Sequence, residues 1–176
     1  MKKKIIRNKN KGILFWITGL SGSGKTTIAK KIKKKISYLY GPTLEISGND
    51  FRKVIKFNKF SKKARTKNVM KNARFAKLIT DRKINLIFNL IGMYKKARSW
   101  NRKNIDNYVE IYIKTDINKI INFKKKSIYF ERKKNIVGLH IEAEFPTKPH
   151  IIIKNDFDKT LDKLSKELLN KIENLI

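Results

Sequence analysis

Two rhythms of apolar and polar residues alternate along the chain. Residues 12–18 (GILFWIT) and 85–91 (NLIFNLI) are nearly unbroken apolar runs, as expected of strands covered on both faces. Residues 108–114 (YVEIYIK), 43–47 (TLEIS) and 150–154 (HIIIK) read as three further strands. Between them lie stretches with helical spacing. One helix is predicted from Gly24 to about Ser37, punctuated by Gly41-Pro42, and a long one from Ser61 to about Arg82. Shorter helices are predicted over 94–103 and from Asp116, as cap, to about Phe123. A closing helix over 158–175 places Leu161, Leu164, Leu168, Leu169 and Ile172 on one face. Strands alternating with helices imply a parallel sheet with helices on both faces, a three-layer α/β/α architecture with five strands. Ligands of such sheets collect beyond the carboxyl ends of the strands. Residues 124–144 break the rhythm, being polar, lysine-rich and weakly periodic, and read as a short, basic, mobile lid.

The 176 residues form one domain with enough apolar sequence, 40%, to bury a core. Without cysteine there is no disulfide framework, thiolate metal site or cysteine nucleophile, and His140 and His150 alone make no metal site. The opening Met1-Lys2-Lys3-Lys4 is basic, but the apolar run over 13–18 is too short for a signal sequence and leads into glycine-rich chain. No segment approaches the ~20 apolar residues of a membrane helix, so a cytoplasmic protein without a membrane partner is expected. The formal charge is +30, from 44 basic and 14 acidic residues. Lysine is spread throughout with abundant Ile and Asn and no aromatic-basic motif accompanies it, so the charge reads as compositional bias rather than as a nucleic-acid surface; anionic nucleotides would still be drawn to it.

Gly19-Leu20-Ser21-Gly22-Ser23-Gly24-Lys25-Thr26 satisfies G-x-x-x-x-G-K-[ST], and it sits between a predicted buried strand and a predicted helix. In such a P-loop, glycines let backbone N–H groups converge on phosphates and the helix N-terminus adds positive potential. The motif assigns residues 19–26, with Thr27 beside them, to ATP. Lys25 bridges the β- and γ-phosphates and stabilises charge developing in transfer, and Thr26 offers its hydroxyl to Mg²⁺. The fold class is therefore a P-loop NTPase, and the short chain favours a small-molecule kinase.

Further residues carry a family resemblance. FWITGLSGSGKTTIA (15–29), Phe60-Ser61 with Arg65 and Asn68-Val69, Ala76-Lys77-Leu78, Lys126-Ser127-Ile128-Tyr129, and Asn135-Ile136-Val137-Gly138 together resemble the adenylylsulfate (APS) kinase family across nearly the whole chain. The resemblance implies transfer of the γ-phosphoryl group of ATP, with Mg²⁺, to the ribose 3′-hydroxyl of adenylylsulfate. It implies that Arg52, Phe60, Arg65, Asn68, Ile91 and Lys126 serve the acceptor nucleotide, and that a homodimer is one assembly to expect. Arginine forks suit phosphate and sulfate oxygens, and an aromatic face suits a base.

Where that family has D-G-D-N, this chain has Ser47-Gly48-Asn49-Asp50, so both motif aspartates are replaced. Asp50 is taken as the catalytic acid in their place, and Glu45 shares a strand face with Ser47 by period two. Gly92 occupies a position where some members carry a serine, which excludes a phosphoserine there and leaves direct in-line transfer. Residues 97–105 (ARSWNRKNI) and 107–112 (NYVEIY) look like an APS-kinase-like branch found with surface-polysaccharide genes, in which the acceptor is a cytidine diphosphate-type phosphoramidate nucleotide. Adenylylsulfate is the leading acceptor, the cytidine nucleotide the alternative, and a degenerate ATP-binding protein a third reading.

Overall fold

A computed structural model describes residues 7–57, 61–124 and 136–176. Its sheet has five strands, β1 (Leu14–Thr18), β2 (Thr43–Ser47), β3 (Asn85–Leu90), β4 (Tyr108–Lys114) and β5 (Ile151–Lys154). They lie in the order β2-β3-β1-β4-β5 and every pairing is parallel. The described helices are α1 (Lys25–Tyr40), α2 (Gly48–Val54), α3 (Lys62–Asp81), α4 (Lys95–Asn104), α5 (Ile117–Lys124) and α6 (Leu161–Glu173). The strand and helix positions agree with the sequence pattern to within a few residues, except α2, which the pattern did not predict.

Successive residues of β1 point to opposite faces, and both faces are apolar. Ile13, Phe15 and Ile17 join Ile28, Ile32 and Ile36 of α1 and Leu164, Leu168 and Ile172 of α6 in one core. Leu14 and Trp16 join Val69 and Ala76 of α3, Phe88, and Ala97 of α4 in the other. The i, i+4 spacing of Ile28, Ile32 and Ile36 turns one stripe of α1 to the sheet, which accounts for a helix otherwise crowded with lysine. No helix among the described residues is long and apolar enough to cross a membrane.

Part of the stretch read as a mobile polar lid behaves otherwise. Ile136, Val137 and Ile141 are buried, and Val137 and Ile141 pack with Leu20, Met93, Tyr112 and Ile120 in a third apolar cluster. A Cβ at Gly138 would lie 2.9 Å from Leu20 Cδ2. The described segment 136–144 is thus anchored on the P-loop, because Val137, Ile141 and Ala143, hidden among its polar positions, find a complementary surface there. The remainder of the lid assignment, 125–135, lies outside the described residues.

Candidate active site at the carboxyl ends of the strands

Parallel register brings Thr18, Leu90 and Tyr112 level at the ends of β1, β3 and β4, with Ser47 beside Asn89 on the β2 side. The loop after β1 then wraps into α1. Gly24, the residue before α1, has φ of +89°, a conformation that side-chain-bearing residues rarely adopt. A Cβ at Gly19 would stand 2.7 Å from the Ile113 carbonyl oxygen, so this position is held to glycine by close packing. Asn155, just past β5, is buried and donates from Nδ2 to the Ser23 carbonyl at 3.0 Å, fixing the loop from the far side. Lys25 folds over the loop and donates from Nζ to the Leu20 carbonyl at 2.6 Å.

Two cavities flank this loop and share Gly22, Lys25 and Thr26. The first, about 170 Å³, is lined by Ser21, Ser47, Asn49, Arg52, Phe57, Arg65, Asn68, Asn72, Asn89, Ile91 and Tyr94 among others. The second, about 390 Å³, is bounded by Thr27, Phe123, Asn155, Phe157, Lys159 and Thr160. Of the acceptor residues named from sequence, Arg52, Arg65, Asn68 and Ile91 converge on the first cavity. Phe60 and Lys126 lie outside the described residues.

Asp50 is placed differently from its expected role. It is exposed and absent from the cavity lining, and its carboxylate accepts from Ser47 Oγ at 2.6 Å while its backbone N–H donates to the same oxygen at 3.1 Å. Ser47 is the N-cap of α2, so the helix missing from the sequence-based reading is what turns Asp50 away. The signal was present: Ser47 with an acid three residues on is a capping pattern. Asp50 meets the cavity only by way of the Ser47 hydroxyl. Glu45 does project towards the same region as Ser47, but its carboxylate accepts from Asn89 Nδ2. Burial raises the Glu45 pKa above the usual carboxylate range, against opposing help from Lys30 and Asn89.

Three polar groups that sequence reasoning overlooked, or used for less, line the first cavity. Asn68 Oδ1, Asn72 Oδ1 and the Tyr94 hydroxyl are buried atoms with no hydrogen-bond partner among the described residues. Asn68 and Asn72 stand one turn apart on α3, with Arg65 a turn before Asn68, so all three share a face. Burial lowers the Arg65 pKa and raises that of Tyr94; their mutual electrostatic attraction opposes both shifts. In the second cavity Phe123 and Phe157 stack with centroids 4.7 Å apart and planes 6° from parallel. Nothing in the spacing of two phenylalanines 34 residues apart announces that pairing.

The segment 97–105 has a structural part to play. Arg98 is buried, donates to the carbonyls of Gly92 and Phe145 at 3.2 and 3.3 Å, and lies 3.4 Å from Glu110. Glu110, 1% exposed, also receives Arg102 at 2.7 Å and the Tyr108 hydroxyl at 3.1 Å. Trp100 packs on the core beside α3. This network pins the turn at Gly92, which borders the first cavity.

A glycine-lined phosphate loop opening a helix, a lysine at its end, and separate cavities on either side of that lysine define a P-loop phosphotransferase. The adenylylsulphate kinase family model matches residues 11–154. The chain belongs to the adenylylsulphate kinase family. It is 30% identical over 168 residues to a cytidine diphosphoramidate kinase of Campylobacter jejuni, spanning 93% of this chain and 98% of that one. It is 28% identical to an adenylyl-sulfate kinase of Halothermothrix orenii, over 92% and 89% of the two lengths. An APS kinase structure from Mycobacterium tuberculosis, in complex with AMPPNP and APS, shares the fold with a TM-score of 0.81 at 21% identity, covering 93% of this chain and 98% of that one.

Proposed function

We propose that the protein transfers the γ-phosphoryl group of ATP to the ribose 3′-hydroxyl of a small nucleotide, and that the acceptor is of the cytidine diphosphoramidate type. The observation that carries the transfer is the meeting of two cavities at Gly22, Lys25 and Thr26. ATP enters from the second cavity, its base against Phe123 and Phe157 and its phosphates on the loop; the acceptor enters from the first.

Thr26 is exposed at that junction, and no cluster of three or more His, Asp or Glu suited to a metal exists among the described residues. A single hydroxyl suits Mg²⁺ that arrives on the phosphates of ATP and keeps its remaining water ligands, and such an ion would neutralise phosphate charge. On binding, Lys25 exchanges the Leu20 carbonyl for the phosphate oxygens. The acceptor oxygen attacks the γ-phosphorus in line, the bond from that phosphorus to the bridging oxygen breaks, and ADP leaves with its electron pair. The hydroxyl proton passes to Ser47 Oγ as Ser47 hands its own to Asp50, along the 2.6 Å hydrogen bond between them.

Two observations favour the cytidine diphosphoramidate type. One is the similarity to the Campylobacter jejuni kinase over almost its whole length. The other is acceptor capacity: Asn68 Oδ1 and Asn72 Oδ1 are unpaired beside Arg65. A phosphoramidate brings N–H donors suited to those carbonyls together with anionic oxygens for Arg65, whereas a terminal sulfate brings acceptor oxygens alone. Adenylylsulfate is the second reading, supported by the family model and by relatives such as that of Halothermothrix orenii.

The test is ADP release from ATP with cytidine diphosphoramidate, adenylylsulfate and the 3′-deoxy analogue of each. ADP formation with the cytidine nucleotide, abolished by removing its 3′-hydroxyl, is the expected result. Preference for adenylylsulfate would reverse the acceptor assignment. ATP binding without ADP release on any nucleotide would leave a protein that holds ATP without transfer.

A further inference from the structure

The family's aspartates at 47 and 49 are absent, yet Thr26 has a polar partner. Its hydroxyl is 2.8 Å from Asn89 Oδ1, on the neighbouring strand β3. Asn89 is 2% exposed, level with Ser47 of β2 and Ile17 of β1, and so rigidly placed at the mouth of the sheet.

Which way the Asn89 amide faces follows from its other contacts. Its nitrogen lies against Glu45 Oε1 and, at 3.3 Å, the Ile46 carbonyl. The Ile46 carbonyl can only accept, and the Glu45 oxygen accepts beside it, so the NH₂ must face them and the amide oxygen must face Thr26. That oxygen can only accept in turn, which obliges the Thr26 hydroxyl to point its hydrogen at Asn89. The lone pairs of the Thr26 oxygen are thereby left for the cavity side. Turned the other way, the amide would donate to Thr26 and occupy a lone pair that a cation needs. Glu45 therefore governs Thr26 at one remove.

We infer that Asn89, oriented by Glu45, is a positioning residue that aims the Thr26 oxygen at the cation carried by ATP. This inference rests on the ATP reading above. It assigns this task to an uncharged amide backed by a carboxylate on the neighbouring strand. An Asn89 that merely filled the core would affect folding and nucleotide binding without regard to metal. The inferred role affects only the part of binding that the metal supplies.

The readout is ATP affinity by titration calorimetry, with millimolar Mg²⁺ and with EDTA, on the full chain. The parent should bind more tightly with Mg²⁺. Asn89→Leu, which cannot accept a hydrogen bond, should lose roughly three- to tenfold of that metal-dependent gain and keep its affinity in EDTA. Glu45→Gln, at a more accessible position, covers failure of the first variant to fold; its amide can present either N–H or oxygen to Asn89 and should lose part of the gain. Variants whose Mg²⁺-dependent gain equals the parent's would overturn the Asn89 assignment and leave the ATP reading standing. A parent that binds no ATP under either condition would remove both.

Discussion

The two cavities that meet at Lys25 are finished to different degrees. On the proposed ATP side these side chains already have partners: Lys25 rests on the Leu20 carbonyl, Asn155 on that of Ser23, and Phe123 on Phe157. On the proposed acceptor side Asn68, Asn72 and Tyr94 hold buried polar atoms that nothing in the described structure satisfies. Each such atom costs the fold about 1–3 kcal/mol. A phosphate loop is shaped chiefly by backbone, and in the proposed reaction Lys25 turns from the Leu20 carbonyl to phosphate oxygens. An acceptor pocket is shaped by side chains whose chemistry must match one ligand, and groups left unpaired in the fold are free to make that match. The donor side is thus general and the acceptor side particular.

Substitutions can break this contrast or sharpen it. The largest effect is expected at the junction. Lys25→Ala should lower ADP formation by on the order of 10²–10³-fold or more, since it removes a donor to charge that develops in transfer. Turnover that survives the change would dissolve the distinction between the two sides, because chemistry would then not occur where they meet. Next comes the acceptor grip. Arg65→Ala should raise the acceptor KM by roughly ten- to a hundredfold, the range expected for a hydrogen bond to a charged group, while ATP affinity measured by calorimetry stays as in the parent. Loss of ATP affinity instead would place Arg65 on the donor side. The smallest effect is the most diagnostic. Asn72→Leu has similar volume, removes an unpaired buried amide oxygen, and should stabilise the fold by about 1 kcal/mol in urea denaturation while raising the acceptor KM several-fold. A destabilised variant with unchanged KM would mean that Asn72 serves the core alone.

The phosphate loop was legible in advance because its information is local. Residues 19–26 specify a loop whose glycines, lysine and threonine have roles set by their spacing, and the flanking strand and helix follow from simple periodicity. Arg65 and Asn68 were legible only through resemblance, since a single arginine among 44 basic residues carries no signal of its own. Asp50 was named from the motif position alone, which does not reveal that Ser47 caps a helix and stands between Asp50 and the cavity. Asn72 and Asn89 went unnoticed because asparagine on a buried helix face, or in an apolar strand, declares nothing until its neighbours are known. Likewise the segment 136–144 looked polar along the chain, and its apolar minority mattered only once Leu20 stood beneath it.

By itself, the order of residues determined the alternating strands and helices, the phosphate loop and the position of the lysine that serves it. Each of these depends on residues within a turn or a strand of one another. Tertiary structure alone decided that Phe123 meets Phe157, that Glu110 gathers Arg98 and Arg102, and that Glu45 reaches Thr26 by way of Asn89. Parallel pairing places residues from distant segments side by side, and the direction of a hydrogen bond is settled only when every donor and acceptor around it is in place.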